Sequence, residues 1–177
     1  MPQGTTPNFG FLLPTVGGDK DAWGAELNSN WLALDTLLAQ VSPTQSISVQ
    51  LEAATLYALD SAPASLLVSP GPGFAAVVDR IDYYYKFGTV PFSTLGSPTL
   101  DVKYTSGGAI DSSVAVGSLL VTPTQNLYRT SRPNVLNLFT SQMINCGIQV
   151  SIAPGTNIAD GDGSLVISLA YRVVPLT

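Results

Sequence analysis

The run Val77 to Phe87 constrains the fold more than any other part of the chain. It places Val77, Asp79, Ile81, Tyr83, Tyr85 and Phe87 on one side of an extended backbone and Val78, Arg80, Asp82, Tyr84 and Lys86 on the other. Successive side chains of a strand point to opposite faces, so this spacing predicts a strand with Tyr83 and Tyr85 in a core and Tyr84 on a half-wet outer face. A sheet with one apolar face needs a second layer to cover it. The same period-two alternation recurs in Ile47, Val49 and Leu51, in Leu100, Val102 and Tyr104, and in Leu165, Ile167, Leu169, Tyr171 and Val173. Further extended segments are expected at Thr55–Leu59, Ser65–Val68, Ser113–Thr122, Val135–Thr140 and Gly147–Ile152, separated by turn sequences such as Pro70-Gly71-Pro72-Gly73 and Ser106-Gly107-Gly108. About eight or nine such strands predict an antiparallel β-sandwich of jelly-roll size over residues 46–177.

The first 41 residues follow a different rule. Pro2, Pro7 and Pro14 with Gly4, Gly10, Gly17 and Gly18 forbid a regular helix over residues 1–18 and leave an extended arm. Phe9, Phe11, Leu12, Leu13 and Val16 interleave that arm, and apolar side chains on so short a segment need a foreign surface to bury them. Asp19 or Asp21 can cap the helix that follows, where Leu27, Trp31, Leu34, Leu38 and Val41 recur at spacings of four and three, and Pro43 ends it. A seam this short is marginal in isolation. It either folds back on its own β domain, associates with copies of itself, or packs into another protein. The chain therefore reads as an anchor arm and helix, 1–41, and a mainly β domain, 46–177.

Residue chemistry excludes most enzymes. There is no histidine and a single cysteine, Cys146, so histidine-based acid–base catalysis, a Ser-His-Asp arrangement, an intrachain disulfide and cysteine-cluster or histidine-ligated metal sites are all ruled out. Cys146 has no cation beside it to activate a thiolate and reads as an inert thiol. Asp160-Gly161-Asp162-Gly163 has two carboxylates but no third ligand at calcium-loop spacing, so a hairpin connection between the last two strands is expected there. Asp79 and Asp82 are expected on opposite faces of one strand, which is no place for a glycosidase pair.

A net charge of −5 with seven scattered Lys and Arg offers no footprint for nucleic acid or an anionic membrane. The N-terminus lacks a basic then apolar leader, and no apolar run approaches bilayer length, so synthesis in a cytoplasm is expected. Only 11% of residues are charged, against roughly 25% in average soluble proteins, which favours a surface partly buried against other chains. No cofactor or metal is expected. Among exposed aromatics, Tyr84 is the candidate contact for a glycan or a partner chain.

Thr6-Pro7-Asn8, Pro14, Val16-Gly17-Gly18, Trp23-Gly24, Leu27-Asn28 with Asn30, and Leu34-Asp35 together resemble the N-terminal attachment motif of tail-fibre and minor structural proteins of tailed bacteriophages. The Tyr-rich strand leading to Phe87-Gly88-Thr89, and the ending from Asp162-Gly163 to Tyr171-Arg172-Val173-Val174, are more loosely similar to small β-sandwich domains of phage head fibres and decoration proteins. The resemblance implies a virion structural protein, a short fibre, spike or decoration, docked to a tail or capsid component. Phe9, Phe11, Leu12, Val16 and Trp23 would dock to the particle. Leu27, Trp31, Leu34 and Leu38 would self-associate, with a homotrimer implied by the family. A carbohydrate- or receptor-binding module serving host-cell adsorption is the alternative.

Overall fold

Two long strands form the spine of the structure, β5 (Phe74–Lys86) and β12 (Ser164–Pro175), paired antiparallel along their whole length from Ser164 opposite Lys86 to Pro175 opposite Phe74. The computed structural model describes residues 4–5, 12–13, 27–32, 34, 44–133 and 140–176. The chain divides into two units, Met1–Ser42 and Pro43–Thr177. In the first, β1 (Gly4–Thr5) pairs antiparallel with β2 (Leu12–Leu13), and residues 27–32 form helix α1, with residue 34 also helical.

The second unit is built from two four-stranded antiparallel sheets. One has the order β3 (Gln45–Leu51), β12, β5, β9 (Leu127–Ser131). The other has the order β4 (Ala64–Leu67), β10 (Ile148–Ser151), β7 (Thr99–Tyr104), β8 (Ala109–Ala115). The pairing is nested: the first of these eight strands lies beside the last, the second beside the seventh, the third beside the sixth and the fourth beside the fifth. That is one long hairpin rolled into two layers, the jelly-roll topology, and the fold is the antiparallel β-sandwich expected from the alternation. A short extra ribbon pairs β6 (Ser93–Leu95) with β11 (Asn157–Ala159).

Between the layers lies a core in which Tyr83, Tyr85, Ile81, Leu165, Ile167 and Leu169 of one sheet meet Leu100, Val102, Tyr104, Ile148 and Val150 of the other. β12 follows its expected phase, but β5 does so only from Ile81 onward. Ala170 lies opposite Arg80 and Tyr171 opposite Val78, which leaves Asp79 as an extra residue, a β-bulge. The bulge resets the alternation: Ala76 and Val78 face the core before it, and Ile81, Tyr83 and Tyr85 after it. Val77 and Asp79 therefore leave the core face to which strict alternation assigns them, and Asp79 and Asp82 share the outer face rather than opposing each other.

Other expectations are corrected by local chemistry. Thr55–Leu59 is not a strand but belongs to helix α2 (Ala53–Tyr57) and the turn after it. Two alanines favour helix there, and a spacing of three lets Leu56 and Leu59 both bury completely. Ser113–Thr122 is a strand only as far as Ala115, where β8 ends; Gly117–Val121 is a π-helical turn. Leu119 and Leu120 are consecutive and both fully buried, which a strand cannot achieve on one face. A short helix, α3 (Thr140–Met143), precedes β10. Most of the Val135–Thr140 segment lies outside the described residues. β6, β9 and β11 carry too little apolar alternation to be read in advance.

The Asp160–Gly163 segment is not a hairpin turn, since β11 pairs with β6 while β12 pairs with β3 and β5. It is a clasp between sheet and loop. Asp162 Oδ1 accepts the amides of Thr89 at 2.7 Å and Val90 at 2.8 Å, and its Oδ2 accepts the Thr89 hydroxyl at 2.6 Å. These three bonds hold the Asp162 carboxyl below the ordinary carboxylate range. Gly161 lets the backbone lie against Phe92: a Cβ there would sit 2.3 Å from the ring. The Tyr57 hydroxyl donates to the Gly161 carbonyl and completes the attachment.

Candidate functional site

Helix α1 carries part of the expected seam. Leu27 is 48% exposed and Trp31 60% exposed, Leu32 beside them is 68% exposed, and Leu34 is half-buried. Leu27 and Trp31 are one helical turn apart and share a face, so the stripe is helical as its spacing requires and stands open. Leu12 falls in β2, opposite Thr5. Phe9, Phe11, Val16, Trp23 and Leu38 lie outside the described residues.

The second surface is the outer face of β5 and β9. Register places Tyr84 directly opposite Tyr128, and side chains so paired are close enough to interact. Tyr84 is half-buried, its hydroxyl accepting a bond from the Asn126 side-chain amide at 3.2 Å, while Asn126 also accepts the Phe87 amide at 3.0 Å. Tyr128 is 62% exposed. Its hydroxyl is tethered at the other end of the ring: it lies 3.2 Å from Thr130 Oγ1, which accepts there because the Thr130 hydroxyl gives its one proton to Asp82 Oδ1 at 2.8 Å. Arg80 Nε donates to Asp82 Oδ2 at 2.9 Å. Partial burial works against the charge on Asp82, but the bonds from Thr130 and Tyr128, together with Arg80, outweigh it and lower its pKa. Asp79 is engaged separately, in a two-pronged pair with Arg172 at 3.0 Å. The carboxylates on this face are thus tied to cations and hydroxyls and not to each other.

Tyr128 is the surface residue that sequence reading misses. β9 reads Leu-Tyr-Arg-Thr-Ser, with one aliphatic residue and no core stripe, and its only strand signal is the β-propensity of Tyr and Thr. Beside this face, Ser118 and residues 122–127 line an open cleft of about 300 Å³, between the π-helical turn and the start of β9.

A second cleft, of about 330 Å³, lies at the β8 edge, where Asp111 and Arg132 contribute to the lining. Asp111 is a structural group. It accepts the Tyr83 hydroxyl at 3.1 Å and the Ser113 hydroxyl and amide at 2.7 and 2.9 Å, and so joins β5 of one sheet to β8 of the other. Its burial disfavours the charge, yet the bonds from Ser113, Ser131 and Tyr83 hold its pKa down, while burial and the adjacent Asp111 charge push the Tyr83 hydroxyl far up. Cys146 is half-buried, with its thiol donating to the Ile144 carbonyl at 3.3 Å. Among the described residues no group of three carboxylates or thiols is gathered as metal ligands would be, and no helix is long and apolar enough to cross a membrane.

Fold and surfaces define a mainly β jelly-roll protein whose notable exposed features are an apolar helix stripe and a tyrosine-bearing sheet face. No protein-family model matches the sequence, and no curated protein matches it. Among solved structures, the cyanophage Pam1 capsid asymmetric unit is similar, with 17% identity, 75% of this chain and 84% of that chain covered, and a TM-score of 0.42.

Proposed function

We propose that the chain is a structural component of a phage virion, a short fibre, spike or decoration protein, anchored through residues 1–41 and projecting its jelly roll from the particle. The uncovered stripe of Leu27 and Trp31 carries this reading. Two large apolar side chains on one helix face are costly to leave in water, at about 25 cal/mol per Å², and they fall within the stretch that resembles phage attachment motifs. The jelly roll agrees with the reading, since this topology recurs in viral capsid domains, although a fold alone does not assign a function.

In this reading Leu27, Trp31, Leu34 and Leu38 join identical chains, as a homotrimer, and Phe9, Phe11, Leu12, Val16 and Trp23 meet the tail or capsid component. The chain has no histidine, and Asp79 and Asp82 on the sheet face are each paired with an arginine, which supports a non-enzymatic reading. Removing residues 1–41 is expected to leave a folded β unit that no longer enters particles. Incorporation of the truncated chain at the wild-type level would refute the anchor. Light scattering of a Leu27→Ser, Trp31→Ser double variant separates the two roles, because loss of self-association implicates the helix rather than the arm.

A further inference from the structure

We propose that the cleft beside the π-helical turn, together with the rings of Tyr84 and Tyr128, forms a binding site for a neutral oligosaccharide. This goes beyond the anchoring role and involves none of the residues assigned to it. The polar lining of the cleft is the hydroxyl and amide groups of Ser118, Thr122, Thr124, Gln125 and Asn126, with Pro123 and Leu127 as its apolar part and no charged side chain. Its neutrality sets the ligand class, because a polyhydroxylated molecule exchanges hydrogen bonds with such groups at every position, whereas an anionic sugar finds no cation in the lining. Ser118 and Thr122 spend their hydroxyl protons on the carbonyls of Ala115 and Gly117 and retain lone pairs to accept. The side chains of Thr124 and Gln125 make no hydrogen bond among the described residues and are exposed.

Asn126 links the cleft to the aromatic face through its bond to the Tyr84 hydroxyl. Beyond it lies Tyr128, mostly exposed yet tethered through its hydroxyl to Thr130. An aromatic ring fixed before binding loses little entropy when a ligand packs on it, and the C–H face of a pyranose is the apolar surface that suits such a ring. At about 300 Å³ the cleft is at the small end of ligand sites, the size for one or two sugar units, with the tyrosines accepting the continuation of the chain.

The test presents the full chain to a glycan array carrying neutral and uronate- or sialate-containing oligosaccharides, followed by titration of the best neutral binder. Tyr128→Ala is expected to weaken binding roughly tenfold, the scale of losing one aromatic anchor, and Thr124→Arg, which fills and charges the cleft, to abolish it. Both positions are exposed, so unchanged thermal unfolding confirms that the variants are folded. The proposal is overturned by absence of binding to any neutral glycan, by binding confined to the anionic set, or by wild-type affinity in both variants.

Discussion

Three core tyrosines, each losing the same oxygen atom, should respond with different signs. Tyr83, Tyr85 and Tyr104 are all fully buried. The Tyr83 hydroxyl donates at 3.1 Å to Asp111, a buried carboxylate, and a bond to a charged group contributes about 1.5–3 kcal/mol. Tyr104 donates at 2.6 Å to the Ala76 carbonyl, a neutral bond worth about 0.5–1.5 kcal/mol. The Tyr85 hydroxyl is buried with no hydrogen-bond partner among the described residues, and a buried, unpaired hydroxyl costs about 1–3 kcal/mol. Tyr83→Phe should therefore destabilise most and Tyr104→Phe less, while Tyr85→Phe stabilises. In a domain of this size 1 kcal/mol corresponds to about 4 °C in Tm, so the Tyr83 and Tyr85 variants should differ by roughly 10 °C or more. Urea denaturation followed by tyrosine fluorescence and circular dichroism reads these differences directly. If Tyr85→Phe destabilises as much as Tyr83→Phe, hydrogen-bond satisfaction does not control this core. Spectrophotometric titration offers a second check, because burial pushes Tyr104 up to about 12 and Tyr83 beyond it.

The other predictions are more local. Asp82, Asp111 and Asp162 all have folded pKa values below the reference 3.8, so the stability they contribute is complete above that value and is lost as pH falls through their folded values. With no histidine in the chain, Tm should be flat between about pH 5 and 7 and fall below about pH 4; a transition near pH 6 would contradict this. Gly161→Ala puts a Cβ 2.3 Å from the Phe92 ring, and overpacking of that kind should cost about 1–3 kcal/mol in denaturant titrations. Asp162→Asn removes charge from the acceptor of Thr89 and Val90. Faster hydrogen exchange at those two amides, with little change elsewhere, is expected, and unchanged protection would show that the loop is held by other contacts.

The period-two alternation, a local property of extended backbone, was enough to specify a mainly β sandwich, because a strand buries whichever face its apolar residues occupy. The same rule failed at Asp79, where the bulge is visible only in the register of β5 against β12. It failed again at Leu119 and Leu120, whose burial depends on a π-helical turn that no alternation encodes. Tyr84 was legible as an outward residue because its own strand sets the phase, whereas Tyr128 gains its significance only when β9 is placed opposite. Sequence alone also settled the chemistry the chain lacks, since no tertiary arrangement supplies a missing histidine or a second cysteine. What folding alone decided was long-range partnership: Asp162 with Thr89, Asp111 with Tyr83, and the nested pairing of eight strands. Those contacts join residues far apart in the chain, and their identity follows from how whole sheets bury their apolar faces, a choice that no single segment carries within itself.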